Sequence, residues 1–305
     1  MKFRTGPNGV HLFDRHSGLN VLLDELRLDK GAWSRAPRQV SVALTNVCDL
    51  HCAYCYAPKQ KAALKSDPVL AWLKELDEAG CLGVGFGGGE PTLHPDFSEI
   101  CRRVAEETQL AVTFTTHGHR LTQKLLDRLK GAVHFVRVSV DGIGSTYEEQ
   151  RGREFFSLLK GIERLASWSR FGINVVVNER TVVELDDLGR LAQEVGASEL
   201  LLLPQQATAS VAGVNEMVSR RLQDWVRDYR GKVRLAVSEA GASGLPTCDP
   251  LPDERGLQAY AHIDASGMMR ASSYSTVAVE IGNTGVMQAL ERLSKTFSIQ
   301  PETAT

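Results

Sequence analysis

The chain has 305 residues, 43% hydrophobic and 24% charged, with a formal net charge of −2. This is an ordinary soluble-protein composition, large enough for one sizeable α/β domain, and its charge balance offers no attraction to nucleic acid or to an anionic membrane surface. No run approaches the ~20 apolar residues that cross a bilayer, and the polar, Gly/Pro-punctuated start from Met1 to Val10 is no secretory signal, so the expected compartment is the cytoplasm.

Residues 1–38 read as a small N-terminal unit. Apolar runs at 10–13 and 19–23 are joined by Asp14-Arg15-His16-Ser17-Gly18, which predicts a hairpin, and seven Lys/Arg against four acids read as a solvated face. From residue 39 a rhythm begins. Strands are predicted at 40–44, 82–86, 111–115, 135–140, 173–177 and 200–203, alternating with amphipathic helices near 68–79, 95–107, 122–129, 154–168 and 184–195. Pro68 and Pro95 mark first turns. Six strand–helix units imply parallel pairing through right-handed crossovers. Six are too few for a closed eight-stranded barrel, so residues 39–210 are expected to form a partial (βα)6 TIM-like barrel. Its chemistry would sit on loops leaving the C-terminal strand ends. A helix at 215–229, a strand at 233–237 and the stretch 248–297 make residues 211–297 a small C-terminal α+β module, with 298–305 a disordered tail.

Three of the six cysteines fall within eight residues, Cys48, Cys52 and Cys55, directly after the first barrel strand. Without an export signal, clustered thiols point to metal ligands in a reducing compartment rather than to disulfides. Three thiolates on one loop leave one iron of a 4Fe–4S cluster open, the mark of a catalytic centre. Zinc with His51 added, and incidental free thiols, are the competing readings. His51 is crowded between two cysteines and no second C-x-x-C follows, which favours the cluster.

The C-x-x-x-C-x-x-C spacing, with the aromatic Tyr54 before the last cysteine, resembles the signature of the radical S-adenosylmethionine (SAM) superfamily. Gly87-Gly88-Gly89-Glu90-Pro91, ending the second strand, is similar to that family's GGEP loop. Val138-Ser139-Val140-Asp141-Gly142 resembles its S-x-D-G strand. Arg151-Gly152 follows as in the peptide-modifying and cofactor-maturing branch, and 171–178 with Glu184-Leu185 resembles that branch's fifth strand and next helix.

The resemblance implies one 4Fe–4S cluster on Cys48, Cys52 and Cys55, with SAM chelating the fourth iron. Reductive cleavage of SAM would give methionine and a 5′-deoxyadenosyl radical that takes hydrogen from an unactivated C–H bond. It implies that Glu90 accepts from the SAM ammonium and that Gly88 and Gly89 let the methionine moiety approach. Tyr54 covers the cluster or the adenine, against a reading as core packing. Ser139 and Asp141 reach the ribose or substrate, against a simple turn at Asp141-Gly142, and Arg151 pairs with the SAM carboxylate, against a surface cation. Thr115, Thr116 and His117 end the third strand where relatives carry a polar ribose-facing residue, with His117 standing where asparagine is common. Asn178, closing the fifth strand, is of the same kind. The implied partner is an electron donor such as a flavodoxin or ferredoxin.

The pattern departs from the branch in its tail. SPASM and Twitch modules bind auxiliary clusters through further cysteines, yet here Cys248 stands alone and Ser272 and Ser273 occupy the region of the next ligand. The expectation is a degenerate, cluster-free module covering the barrel mouth, with Cys248 either structural or a donor or acceptor of hydrogen or an electron in turnover. Three functions follow. The first is modification of a ribosomally made peptide whose leader pairs with the N-terminal unit. The second is chemistry on a small molecule such as a sugar, nucleoside or antibiotic intermediate, and the third is a non-catalytic relative that binds SAM or a peptide.

Overall fold

A computed structural model of the chain describes residues 1–208, 211–238 and 241–299. The N-terminal unit is a three-stranded antiparallel sheet of β1 (Lys2–Gly6), β2 (Gly9–Phe13) and β3 (Asn20–Leu23), in that order. The predicted hairpin is β2–β3, with Phe13 opposite Asn20 and the turn held by Asp14 Oδ2, which accepts from Ser17 N at 2.8 Å. The expected two-stranded unit is corrected by β1, whose pattern is inverted. Lys2 and Arg4 are buried while Phe3 is 63% exposed. Arg4 is satisfied across a long-range seam, where it donates to Glu254 Oε1 (3.1 Å), Ala36 O (2.8 Å), Gly80 O (3.0 Å) and Gln258 O (2.9 Å). A buried guanidinium is tolerated only when so completely paired.

The barrel strands are β4 (Gln39–Thr45), β5 (Gly83–Gly88), β6 (Ala111–Thr116), β7 (Phe135–Ser139), β8 (Phe171–Val177) and β9 (Glu199–Pro204). Between them run α1 (Ser66–Glu78), α2 (Phe97–Glu107), α3 (Gln123–Leu129), α4 (Ser145–Arg151), α5 (Phe155–Ala166) and α6 (Leu185–Glu194). All five predicted helices are present. The short α4, polar on most sides, lacks the apolar period that reveals the others. In α2, by contrast, Phe97, Ile100, Cys101, Val104 and Ala105 line the buried face at the helical spacing.

Neighbouring strands from β4 to β9 pair in parallel in chain order. After α7 (Glu216–Asp228), β10 (Arg234–Val237) joins β9 in parallel. At the other end β11 (Tyr260–Ile263) joins β4 in parallel, followed antiparallel by β12 (Met268–Arg270) and β13 (Ala278–Glu280). The sheet is therefore an open ten-stranded surface of order β10-β9-β8-β7-β6-β5-β4-β11-β12-β13, so the partial barrel is extended at both edges. The last helix, α8 (Val286–Ile299), is capped by Glu75 of α1, whose Oε2 accepts from Val286 N at 3.1 Å. It carries the chain through Ile299, so residues 298 and 299 of the expected tail are helical, and the rest of that expectation, residues 300–305, lies outside the described residues.

Strand alternation separates two chemistries. Val112, Phe114, Val136, Val138, Leu200 and Leu202 are fully buried, while the alternate positions Thr113, Thr115, Arg137, Ser139, Leu201 and Leu203 are half-buried. One face packs on helices and the other is left open, mostly polar on β6 and β7.

Candidate active site

Parallel strands bring their C-terminal ends to one rim, and the predicted residues follow those ends. The loop after β4 carries the cysteines, Glu90 follows β5, Thr116 and His117 close β6, Ser139 and Asp141 close β7, and Asn178 follows β8.

Glu90 is 1% exposed and binds the ends of β5 and β6 together. Its Oε1 accepts from Thr92 N (3.2 Å), Thr92 Oγ1 (2.6 Å) and Thr116 Oγ1 (2.9 Å), and its Oε2 from His117 N (2.9 Å). Oε2 thus keeps acceptor capacity for one more donor. The adjoining glycines explain the loop's closeness. A Cβ on Gly88 (φ +113°) would lie 2.2 Å from Thr45 O, and one on Gly89 would lie 2.3 Å from Val47 O. These two glycines let the loop press on the backbone that leads into the cysteines, a reason different from the ligand approach inferred from sequence. Gly87 is the one with room, since a Cβ there meets nothing within 4 Å.

Cys48, Cys52 and Cys55 are half-buried on one loop. Burial raises the Cys48 thiol above its ordinary pKa, and the nearby Glu90 and Asp49 carboxylates push the same way. A second bracket ties this loop to β7. Tyr54 donates its hydroxyl to Asp141 Oδ2 at 2.6 Å, and fully buried Asp141 also accepts from Val176 N at 2.7 Å and pairs with Arg151. The Arg151 guanidinium lies 5.8 Å from the Tyr54 ring centroid, and its Nη1 reaches Cys52 Sγ at 3.7 Å. Burial alone would lower the Arg151 pKa, but the Asp141 charge, with Tyr54 and Cys52 behind it, outweighs this and holds it above its ordinary value. Burial, then Asp141, pushes the Tyr54 hydroxyl well up, so it remains a donor. The Arg151 Nε is buried without a partner.

A third contact joins the predicted His117 to Asp49 and His119, which sequence reasoning passed over. His117, 4% exposed, donates from Nε2 to Asp49 Oδ1 (2.8 Å), while its Nδ1 accepts from His119 N (3.1 Å), which fixes the neutral tautomer. Burial, the largest single influence, would raise Asp49, but the His117 hydrogen bond and charge, with Arg120 behind them, together outweigh it and hold the carboxyl below its usual value. His119 Nε2 meets the Tyr147 hydroxyl at 2.8 Å, and Arg120 and Arg153 flank Asp49. Cys48, Asp49 and His117 offer ligand atoms within 4.8 Å of one another, yet both His117 nitrogens are already engaged. His51, the extra ligand of the zinc reading, is exposed. Asp49 lies inside the cysteine motif and was visible there as an acid, but its partner 68 residues away was not.

Among the other predicted residues, Thr116 braces Glu90 and accepts from Gly118 N, and Ser139 is half-buried beside Asn174. Asn178 accepts from Arg180 N and Thr181 N and donates to Gln205, tying the rims of β8 and β9. Cys248 is exposed in coil, whereas Cys81 and Cys101 are fully buried, with burial pushing Cys81 up to about 11. A cavity of about 440 Å³ lined by Lys2, Trp33, Asp77 and Gly80 lies at the opposite end of the strands and belongs to the N-terminal seam. At the rim itself, three half-buried thiols, the orphaned Arg151 Nε and the empty space above Gly87 fit a 4Fe–4S cluster with an amino-acid-bearing ligand beside it.

The family model described as Radical SAM superfamily matches residues 42–190. An AdoMet-dependent heme synthase of Methanosarcina barkeri is 32% identical over 175 residues, covering 54% of this chain and 50% of that one. A mycofactocin maturase of Mycolicibacterium smegmatis is 30% identical over 223 residues, 69% of this chain and 57% of the other. The chain thus spans about half the length of the curated relatives it matches. Streptococcus suis SuiB bound to precursor peptide SuiA superposes with TM-score 0.79 at 12% identity, over 100% of this chain and 90% of that one, a likeness of fold.

Proposed function

Because residues 42–190 belong to the radical SAM superfamily, we propose that this chain is a radical SAM enzyme that modifies a ribosomally synthesised peptide. When bound, a 4Fe–4S cluster and SAM would supply the radical chemistry that abstracts hydrogen from an unactivated C–H bond of the substrate. The chain's own residues hold and orient. Cys48, Cys52 and Cys55 take three irons and leave the fourth for SAM. Glu90 Oε2 accepts from the SAM ammonium, and Arg151 Nε, buried and unpartnered, donates to its carboxylate. Tyr54 and Asp141 fix the loop, and Ser139 with Asn178 line the way to the substrate.

The observation that supports this most is that three half-buried thiols share the loop after β4 and that Glu90, from the end of the next strand, lies close enough to Cys48 to act on its thiol. Iron content and low-temperature EPR of anaerobically reconstituted protein test it. About four irons per chain, with a signal that shifts on adding SAM, are expected. About eight would reveal an auxiliary cluster, and tightly held zinc without iron would overturn the reading.

For the substrate, peptide chemistry is supported by the mycofactocin maturase and the precursor-peptide complex among the relatives, and by β3. That edge strand has no neighbour on its far side among the described residues and could pair with a leader strand. One feature favours a small molecule instead, since Cys248 is the lone thiol after residue 101 and cannot hold a second cluster. Incubation with SAM and a candidate precursor peptide, followed by mass spectrometry, separates the two. No helix among the described residues is long and apolar enough to cross a membrane. A cytoplasmic location is part of this proposal, supported by the need of such a cluster for a low-potential electron donor and reduced cysteine ligands.

A further inference from the structure

Past the last cysteine the chain turns back along β4. Asn46 N donates to Ala62 O and Leu64 N to Leu44 O, both at 2.9 Å, and Thr45 bridges Ala63 antiparallel. This pins residues 62–64 against the end of β4, on the segment that follows the thiols, with Leu64 buried and Lys59, Lys61 and Lys65 exposed. None of these lysines has an ion pair among the described residues, and from Leu50 to Ser66 the sequence holds no acid. The acids at either end are taken, Asp49 by His117, Arg120 and Arg153, and Asp67 by Arg103. Tyr56, peptide-bonded to Cys55, is 44% exposed and packs on Tyr274, 47% exposed, with ring centroids 4.9 Å apart.

A chain of net charge −2 thus keeps, on the ten residues that follow Cys55, three lysines without an ion pair among the described residues and an exposed tyrosine packed on a second one. Exposed aromatics with a basic surround have the make-up of a docking site, the rings anchoring and the charges steering a partner of opposite sign.

We propose that the surface of Lys59, Lys61, Lys65, Tyr56 and Tyr274 docks an acidic one-electron carrier protein. The proposal rests on the cluster reading above and names its reductant's place. One electron would leave the carrier's reduced flavin or iron–sulfur centre for the cluster that Cys48, Cys52 and Cys55 would hold. The carrier is oxidised by one equivalent, the site is reduced by one, and no bond or proton moves.

The test uses the full chain, anaerobically reconstituted, and two reductants: photoreduced flavodoxin, an acidic flavin carrier, and the methyl viologen radical cation, which needs no docking. Reduction is followed by loss of visible absorbance. For Lys59→Glu/Lys61→Glu/Lys65→Glu, the second-order rate with flavodoxin is expected to fall roughly ten-fold or more at low salt, most of the difference vanishing at high salt. The viologen rate should not slow. Tyr274→Ala should weaken the flavodoxin reaction alone. Equal flavodoxin rates in wild type and the lysine variant overturn the docking site, as does an equal slowing with both reductants, which would mean that the lysines act on the iron site itself. If the lysine variant instead loses affinity for an acidic peptide with flavodoxin rates unchanged, the surface belongs to the peptide and the proposal falls. Wild type that holds no iron, or is not reduced by viologen, overturns the cluster reading and the docking site with it.

Discussion

Replacing Asp141 with alanine tests how the cysteine loop is held. Asp141 is fully buried and serves three donors at once, Tyr54 Oη, Val176 N and the Arg151 guanidinium. Removing one partner of a buried ion pair costs about 3–5 kcal/mol, because the other charge is left uncompensated. Two orphaned neutral donors push the cost toward the upper figure. Tyr54→Phe is the control. It deletes one donor while Asp141 stays paired to Arg151 and Val176, so roughly 1 kcal/mol is expected. Adding Arg151→Met to Asp141→Ala removes the stranded charge and should recover part of the loss. Urea unfolding of the metal-free proteins, followed by circular dichroism, measures all three against a typical total of about 5–15 kcal/mol. Iron retained after reconstitution should fall in the same order, since Tyr54 and Arg151 flank Cys52 and Cys55. A cost for Asp141→Ala no larger than for Tyr54→Phe, or no recovery in the double variant, would refute the bracket.

The glycines give opposite expectations side by side. Gly89→Ala forces a Cβ to 2.3 Å from Val47 O and should cost more than about 2 kcal/mol and abolish iron binding, while Gly87→Ala, with nothing within 4 Å, should change stability by no more than about 0.5 kcal/mol yet weaken SAM binding in a calorimetric titration. Cys48→Ser, Cys52→Ser and Cys55→Ser should each leave little iron after reconstitution, whereas Cys81→Ser, Cys101→Ser and Cys248→Ser should keep the wild-type content; equal iron in both sets contradicts the assignment. His262 and His134 are each held down to about 4, His262 by burial and then Arg270 against the pull of Asp264, His134 by burial and then Arg15. Their folded values lie below the ordinary one near 6.5, so between these limits the unfolded chain binds more protons; their stability is full above pH 6.5 and lost as pH falls toward 4. His262→Gln should make the fall between pH 6.5 and 5 shallower by up to about 1.4 kcal/mol per pH unit in urea midpoints, and a parallel slope would sink that account.

What the sequence showed was what local spacing can carry. The barrel strands stood out as short apolar runs such as 135–140 and 200–203, and α2 because its buried positions recur every three or four residues. β1 was hidden for the same reason reversed, since Lys2 and Arg4 turn inward to partners such as Asp77 and Glu254 that no local window contains. The pairing of β11 with β4 is likewise a register between residues more than two hundred positions apart.

The candidate site divides along that line. Cys48, Cys52, Cys55 and Glu90 were legible because their chemistry is written in adjacent residues. Their neighbours were named correctly as positions but not by what they touch. Tyr54 meets Asp141 across 87 residues, and Arg151 meets Cys52 across 99. The consequence is a division of labour within each motif. Glu90 receives four hydrogen bonds from the protein and keeps one acceptor position, and Arg151 gives two of its groups to Asp141 and Cys52 and keeps Nε. A residue that both locks the loop and faces the ligand cannot be replaced without moving the thiols. Loss of activity in such a variant therefore says little about SAM contact by itself, whereas Gly87, which holds nothing in place, isolates the contact.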